Sequence, residues 1–164
     1  MSVIGVATFH PANGSKIKGY ITFKELENGY IRIRANLEGL PTNHSKLAWH
    51  IHESGDLRGQ GCKAACSHFN PYGVTHGGPT SFVKHIGDLG NLNVTSKGTS
   101  KTVRDYDFID LRGPNSIIGR SLVIHEKPDD MGLGGDSESL KTGNAGSRIG
   151  CAVIGYAKKS QLYF

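Results

Sequence analysis

Gly29-Tyr30-Ile31-Arg32-Ile33-Arg34-Ala35-Asn36-Leu37 alternates apolar and polar residues without a break. Ile31, Ile33, Ala35 and Leu37 share one face of an extended chain, with Arg32, Arg34 and Asn36 on the other. That is the pattern of a strand with one side in a core and the other in water. One segment earlier, Ile17, Gly19, Ile21 and Phe23 repeat it against Lys18, Tyr20 and Thr22, and Glu27-Asn28-Gly29 between the runs reads as a hairpin turn. Further runs at 3–9, 46–52, 88–94, 99–106, 117–124 and 151–158 give about eight short strands. The register at 99–106 is weakly specified, because Thr102-Val103-Arg104-Asp105 favours neither face. Long helical periodicity is absent, so the expected fold is all-β, an antiparallel sandwich or barrel.

Two segments break the strand rhythm. Residues 53–87 and 126–150 are polar, Gly-rich and too long for ordinary connections, which points to functional loops. The chain of 164 residues has no linker, repeat or low-complexity tract, so a single domain over 1–164 is expected. A net charge of +5 suits an anionic partner. The cations Lys16, Lys18, Lys24, Arg32, Arg34, Lys46, Lys101 and Arg104 are nonetheless scattered and not interleaved with aromatics, which reads as solvated surface and not a nucleic-acid site. No apolar run approaches the ~18 residues of a membrane span. Met1-Ser2-Val3-Ile4-Gly5-Val6 lacks a basic region followed by an apolar stretch, so a cytoplasmic protein is expected. Three cysteines cannot build a disulfide-dense scaffold, and in the cytosol the default is reduced thiols.

Six of the eight histidines carry the chemistry. His50-Ile51-His52 closes an expected strand, and side chains at i and i+2 leave it on the same face, so both imidazoles can reach one ion. His68, His76, His85 and Asp88 follow closely in glycine-rich chain, three imidazoles and a carboxylate that make a four-coordinate shell of the kind zinc accepts. His125 ends the apolar run from Ile117 and is placed to join His50 and His52 if their strands share a sheet end. Imidazole suits copper, zinc, iron and nickel, so ligand type does not name the metal. His10 and His44 read as surface histidines.

With these motifs aligned, the chain closely resembles the copper/zinc superoxide dismutase family over nearly its whole length. The resemblance is densest in His50-Ile51-His52-Glu53, His68-Phe69-Asn70-Pro71, His76-Gly77-Gly78-Pro79, His85-Ile86-Gly87-Asp88-Leu89-Gly90, Val123-Ile124-His125-Glu126-Lys127 and Lys141-Thr142-Gly143-Asn144-Ala145-Gly146-Ser147-Arg148. It implies an eight-stranded Greek-key β-sandwich that disproportionates superoxide to oxygen and hydrogen peroxide by Cu(II)/Cu(I) cycling. Copper ligands would be His50, His52, His68 and His125, and zinc ligands His68, His76, His85 and Asp88. His68 would bridge both ions and carry the proton. Asp129 would orient ligand histidines on both sides, Arg148 would dock the anion, and Lys141 and Glu138 would shape the guiding field. The resemblance further implies a Cys62–Cys151 disulfide, against the composition-based default, together with a homodimer and possible delivery of copper by a chaperone.

Some residues depart from the pattern. Ser137 stands where many relatives carry an acid, and Cys66 is an extra thiol that could stay free or compete for Cys151. The segment 54–60 has one extra residue near the relatives' dimer contact, and the tail through Leu162, Tyr163 and Phe164 is long. The alternative reading, a non-catalytic metal-binding or copper-delivery module of the same fold, would go with loss of copper ligands or the arginine, and this chain keeps them. An immunoglobulin-like domain is disfavoured because Trp49 precedes both Cys62 and Cys151.

Overall fold

The structure is a computed structural model that describes residues 4–12 and 15–158. The tail residues Leu162, Tyr163 and Phe164 lie outside the described residues. Eight strands form: β1 (Ile4–Phe9), β2 (Lys18–Glu25), β3 (Ile31–Glu38), β4 (Lys46–His52), β5 (Asp88–Asn93), β6 (Val103–Tyr106), β7 (Ser121–His125) and β8 (Arg148–Tyr156). They line up in the order β5-β4-β7-β8-β1-β2-β3-β6, and each neighbouring pair is antiparallel.

The alternation seen in sequence sets which side faces the core. Phe23 pairs with Ile33 and Ile21 with Ala35 across β2 and β3, and all four are buried. Each large apolar side chain buried this way contributes roughly 2 kcal/mol. Arg32 and Arg34 point outward, and Arg32 forms a two-point contact with Asp105 on β6. The hairpin at 26–30 closes with Gly29 N–H donating to Leu26 O at 3.0 Å, and Gly29 takes φ +84°, open to glycine at little cost. The sheet curls until its two edges meet through side chains: Tyr106 Oη donates to Leu89 O at 2.8 Å, and Asn93 N–H donates to Thr102 Oγ1 at 2.8 Å.

Strand starts depart from the sequence reading by three or more residues at β6, β7 and β8. β6 begins at Val103, not 99, because Ser100 and Thr102 are buried and bond each other at 3.0 Å, while Ser100 makes only an isolated bridge to Leu37. β7 begins at Ser121, not 117, because Ile117–Arg120 is a turn, with Arg120 N–H donating to Ile117 O and Gly119 at φ +82°. β8 starts earlier than 151, at Arg148.

The two long loops join β4 to β5 and β7 to β8. The first holds a 3₁₀ turn over Gly61–Ala65, the second a single-turn helix α1 over Ser139–Thr142. Cys62 of the 3₁₀ turn is bonded to Cys151 of β8, with Cα atoms 5.6 Å apart, and Cys66 is left as an exposed free thiol. No helix among the described residues is long and apolar enough to cross a membrane. The disulfide closes 89 residues of sequence separation. Replacing Cys62 and Cys151 together by Ser should therefore lower the unfolding free energy by about 4 kcal/mol, read from the denaturant midpoint and slope together, the slope rising as the unfolded chain loses its constraint. A loss below about 1 kcal/mol would show that the loop ends are held by packing alone.

Candidate metal centre

Strands β4 and β7 deliver three imidazoles to one end of the sheet. His50 and His52 leave β4 on the same side, and β7 runs antiparallel beside it, with His50 opposite Val123 and His52 opposite Ser121. The register shifts between Ala48 and His50 in the β4–β5 pair and between Ile124 and His125 in the β7–β8 pair. Such irregularities re-aim side chains next to functional sites. The β4–β5 loop adds His68, which forms an isolated bridge with His52. The ligand-type atoms of His50, His52, His68 and His125 lie within 4.8 Å of one another, and all four residues are buried.

A second group stands alongside. His50, His68, His76 and Asp88 offer ligand atoms within 4.8 Å of one another. Asp88 Oδ1 is 2.9 Å from Nδ1 of His68, 2.9 Å from Nδ1 of His76 and 3.2 Å from Nδ1 of His85. Its other oxygen is held by the backbone, accepting from His85 N–H at 2.7 Å and Gly77 N–H at 3.1 Å. The carboxylate is thereby aimed at the three imidazoles. Burial alone would raise its pKa, but those three contacts overcome it and hold the carboxyl well below the usual range.

The outer ring nitrogens determine which nitrogens face inward. His50 Nε2–H donates to Asp129 Oδ2 at 2.7 Å and His76 Nε2–H to Asp129 Oδ1 at 2.8 Å. Carbonyls take the others: Cys66 O from His52 Nδ1–H at 2.8 Å, Gly146 O from His125 Nδ1–H at 3.1 Å, and Val74 O from His85 Nε2–H at 3.0 Å. In His50, His52, His85 and His125 each bond fixes a tautomer whose remaining lone pair points into the cluster. His52 Nε2 and His125 Nε2 face each other at 3.3 Å. Facing lone pairs repel unless a cation lies between them. Burial pushes the pKa values of His50, His52 and His68 below the usual imidazole range, and pulls that of His125 down to about 4. Burial also pulls His76 down, but Asp129 and Asp88 outweigh it and lift the ring to about 9.

Among the described residues, three buried ring nitrogens make no hydrogen bond: His50 Nδ1, His68 Nε2 and His76 Nδ1. His76 Nδ1 is close to Asp88 but off the direction a hydrogen bond needs. Leaving three such atoms unpaired in a buried site is costly, and metal coordination removes the cost. The residues therefore fit two adjacent cations, with His50 and His68 common to both groups.

Residues 17–154 match the family described as Copper/zinc superoxide dismutase (SODC). This chain belongs to the copper/zinc superoxide dismutase family. It is 51% identical over 144 residues to a Cu-Zn superoxide dismutase of Paramecium bursaria Chlorella virus 1, covering 88% of this chain and 75% of that one. It is 48% identical to the Schizosaccharomyces pombe Cu-Zn superoxide dismutase, over 87% and 92% of the two chains. The crystal structure of the clock protein EA4 superposes with a TM-score of 0.87 at 40% identity, covering 94% of each chain. Copper and zinc are the metals of this family, and the two histidine groups suit them.

Of the expected ligands, His50, His52, His68 and His125 share one group, while the second holds His68, His76 and Asp88 with His50 in place of His85, whose Nδ1 stands 3.2 Å from Asp88 Oδ1. The structure adds one residue that composition concealed. Cys66 takes φ +65°, ψ −152°, a region occupied almost only by glycine, and its carbonyl receives both His52 Nδ1–H and Arg148 Nη2–H. A cysteine gives no hint of such a backbone role. Replacing Cys66 by Gly should relieve the strain by more than glycine's unfolded-state entropy costs, raising stability by about 1 kcal/mol. A lower urea midpoint for that variant would show that the strain at Cys66 is smaller than glycine's entropy cost.

Proposed function

We propose that the enzyme disproportionates superoxide with His50, His52, His68 and His125 holding copper and His68, His76, His85 and Asp88 holding zinc. The observation that carries this assignment is the overlap of the two buried groups at His68: its Nδ1 is 2.9 Å from Asp88 Oδ1, its Nε2 has no partner within the protein, and its ring centroid lies 4.0 Å from that of His50. Bound at these residues, copper would supply the one-electron exchange with superoxide, and zinc, which has no redox change, would fix structure and charge.

The chain's own groups manage the anion and its protons. A channel of about 930 Å³ reaches the cluster and is lined by His52, His68, His125, Lys141 and Arg148, with Glu138 at its wall. Arg148 Nη1 donates to Cys62 O at 2.8 Å and Lys63 O at 3.3 Å, and Nη2 to Cys66 O. These acceptors are carbonyls, so the guanidinium is held in place without its charge being neutralised, and it can dock a small anion. Lys141 extends the positive wall, while Glu138 accepts from Thr142 Oγ1 at 2.9 Å and is held against α1. Such a field raises encounter rates, a use for which this enzyme is itself a standard illustration. His68 Nε2 can hold a proton and pass it toward peroxide.

The purified chain, loaded with copper and zinc, should consume superoxide catalytically. Arg148→Ala should slow it by about tenfold at low salt and flatten its salt dependence with metal content unchanged. A parent chain that binds both metals yet leaves superoxide untouched would favour a metal-delivery module.

We further infer a homodimer through the patch around β8. Gly55, Gly119 and Val153 adjoin there: a Cβ on Gly55 would come within 1.9 Å of Gly119 O and 3.4 Å of Val153 Cγ1. Val153 and Tyr156 are exposed, and Ile118 is only partly buried against the core. Exposed apolar side chains grouped in this way are a surface that a second copy can cover. Val153→Asp should halve the mass seen by sedimentation equilibrium. A parent chain that already sediments as a monomer would end the dimer reading.

A further inference from the structure

Asp130 follows the carboxylate that joins His50 to His76, but its bonds run the other way, into the β7–β8 loop. Its Oδ1 accepts from Ser139 Oγ at 2.7 Å and Gly132 N–H at 3.0 Å. Its Oδ2 accepts from Asn144 Nδ2 at 2.8 Å, and its own N–H donates to Gly143 O at 2.9 Å. The same Asn144 nitrogen donates to Asp136 Oδ2 at 3.0 Å, and Asp136 Oδ1 accepts from Ser139 N–H at 2.8 Å. Asp130, Asp136, Ser139 and Asn144 thus close a ring around α1.

The ring supplies what α1 lacks. Four residues make too few internal bonds for a helix to persist alone. Ser139 is fully buried although its neighbours in α1 are exposed, and Leu140 O receives His76 N–H at 2.9 Å, which straps the helix to the metal cluster. Gly134 sits where the ring converges. Its N–H donates to Ser139 Oγ at 2.9 Å, and a Cβ there would stand 2.2 Å from Asp130 Oδ2, 2.9 Å from Asn144 Nδ2 and 3.1 Å from Ser139 Oγ. Its φ is outside the left-handed region, so the demand for glycine is one of space and not of backbone conformation.

We propose that Asp130, Asp136, Ser139 and Asn144 are positioning residues that clamp α1 and so fix where the charge of Lys141 stands in the channel wall. The inference rests on the guidance role of Lys141 proposed above.

Gly134→Ala tests it without changing any charge or hydrogen-bonding group. In the copper- and zinc-loaded enzyme, with metal content checked, amide exchange over 139–143 should quicken on the order of tenfold. The rate at low salt should fall about twofold, and its salt dependence should flatten to that of Lys141→Gln. Adding Gly134→Ala to Lys141→Gln should then change the rate no further, since a charge already removed has no position to lose. Unchanged exchange and salt dependence, or effects that add in full, would overturn the clamp. If Lys141→Gln leaves the parent's rate and salt dependence alone, the guidance role fails and the clamp's part in it falls too. That outcome is recognisable because exchange in α1 still quickens. Should Gly134→Ala not fold, Ser139→Ala, also neutral, must show the same pattern at smaller amplitude, and its absence counts against the proposal equally.

Discussion

Asp129 takes a ring N–H from His50 on one oxygen and from His76 on the other, in a place without solvent. A buried carboxylate without such partners would cost several kcal/mol, so the two imidazoles and the acid require one another. The acid is itself tied to β5, where Asn91 Oδ1 accepts its N–H at 2.7 Å and Asn91 Nδ2 donates to its carbonyl at 3.1 Å. Gly143, at φ +70°, lies against it so closely that a Cβ would come 2.1 Å from Oδ1. Through this one side chain the sheet, both long loops and both histidine groups share a common origin. A shift of Asp129 would turn one histidine in each group at once.

The site draws its precision from two sources of unequal stiffness. β4 and β7 fix His50, His52 and His125 by strand register, with an irregularity beside His50 and another beside His125. The loop histidines have no ladder to hold them, so the carbonyl of Val74, the backbone grip on Asp88 and the disulfide at Cys62 do that work. Cys66 connects these parts: its carbonyl orients a sheet histidine and the channel arginine together.

Much of the fold could be read from the chain because strand alternation is a local signal. The buried and exposed faces at 31–37 follow the sequence residue by residue. Boundaries were harder wherever a turn is itself apolar, as at Ile117 and Ile118, or where buried hydroxyls mimic a strand, as at Ser100 and Thr102. His50-Ile51-His52 was legible from strand periodicity alone. The grouping of His68, His76, His85 and Asp88 was legible from their spacing, and that of His125 with His50 and His52 only if their strands share a sheet end; the place of His68 in both groups, and the pairing of Cys62 with Cys151, came only from the family resemblance, because no local rule relates residues so far apart. The backbone role of Cys66 and the ring around Gly134 left no trace in residue type. Both depend on where a carbonyl or an empty volume falls in space.

The curled sheet is not closed by main-chain bonds between β5 and β6; its seam is held by the Tyr106 hydroxyl and by Thr102 Oγ1. An unpaired strand edge is a template for another chain, and proteins that keep one must make it unattractive. Here β6 is four residues long and carries Arg104 and Asp105, and β5 opens on Asp88, which the metal cluster already occupies. Resistance to aggregation is therefore linked to the integrity of the site: whatever loosens Asp88 also frees the start of an edge strand for foreign pairing.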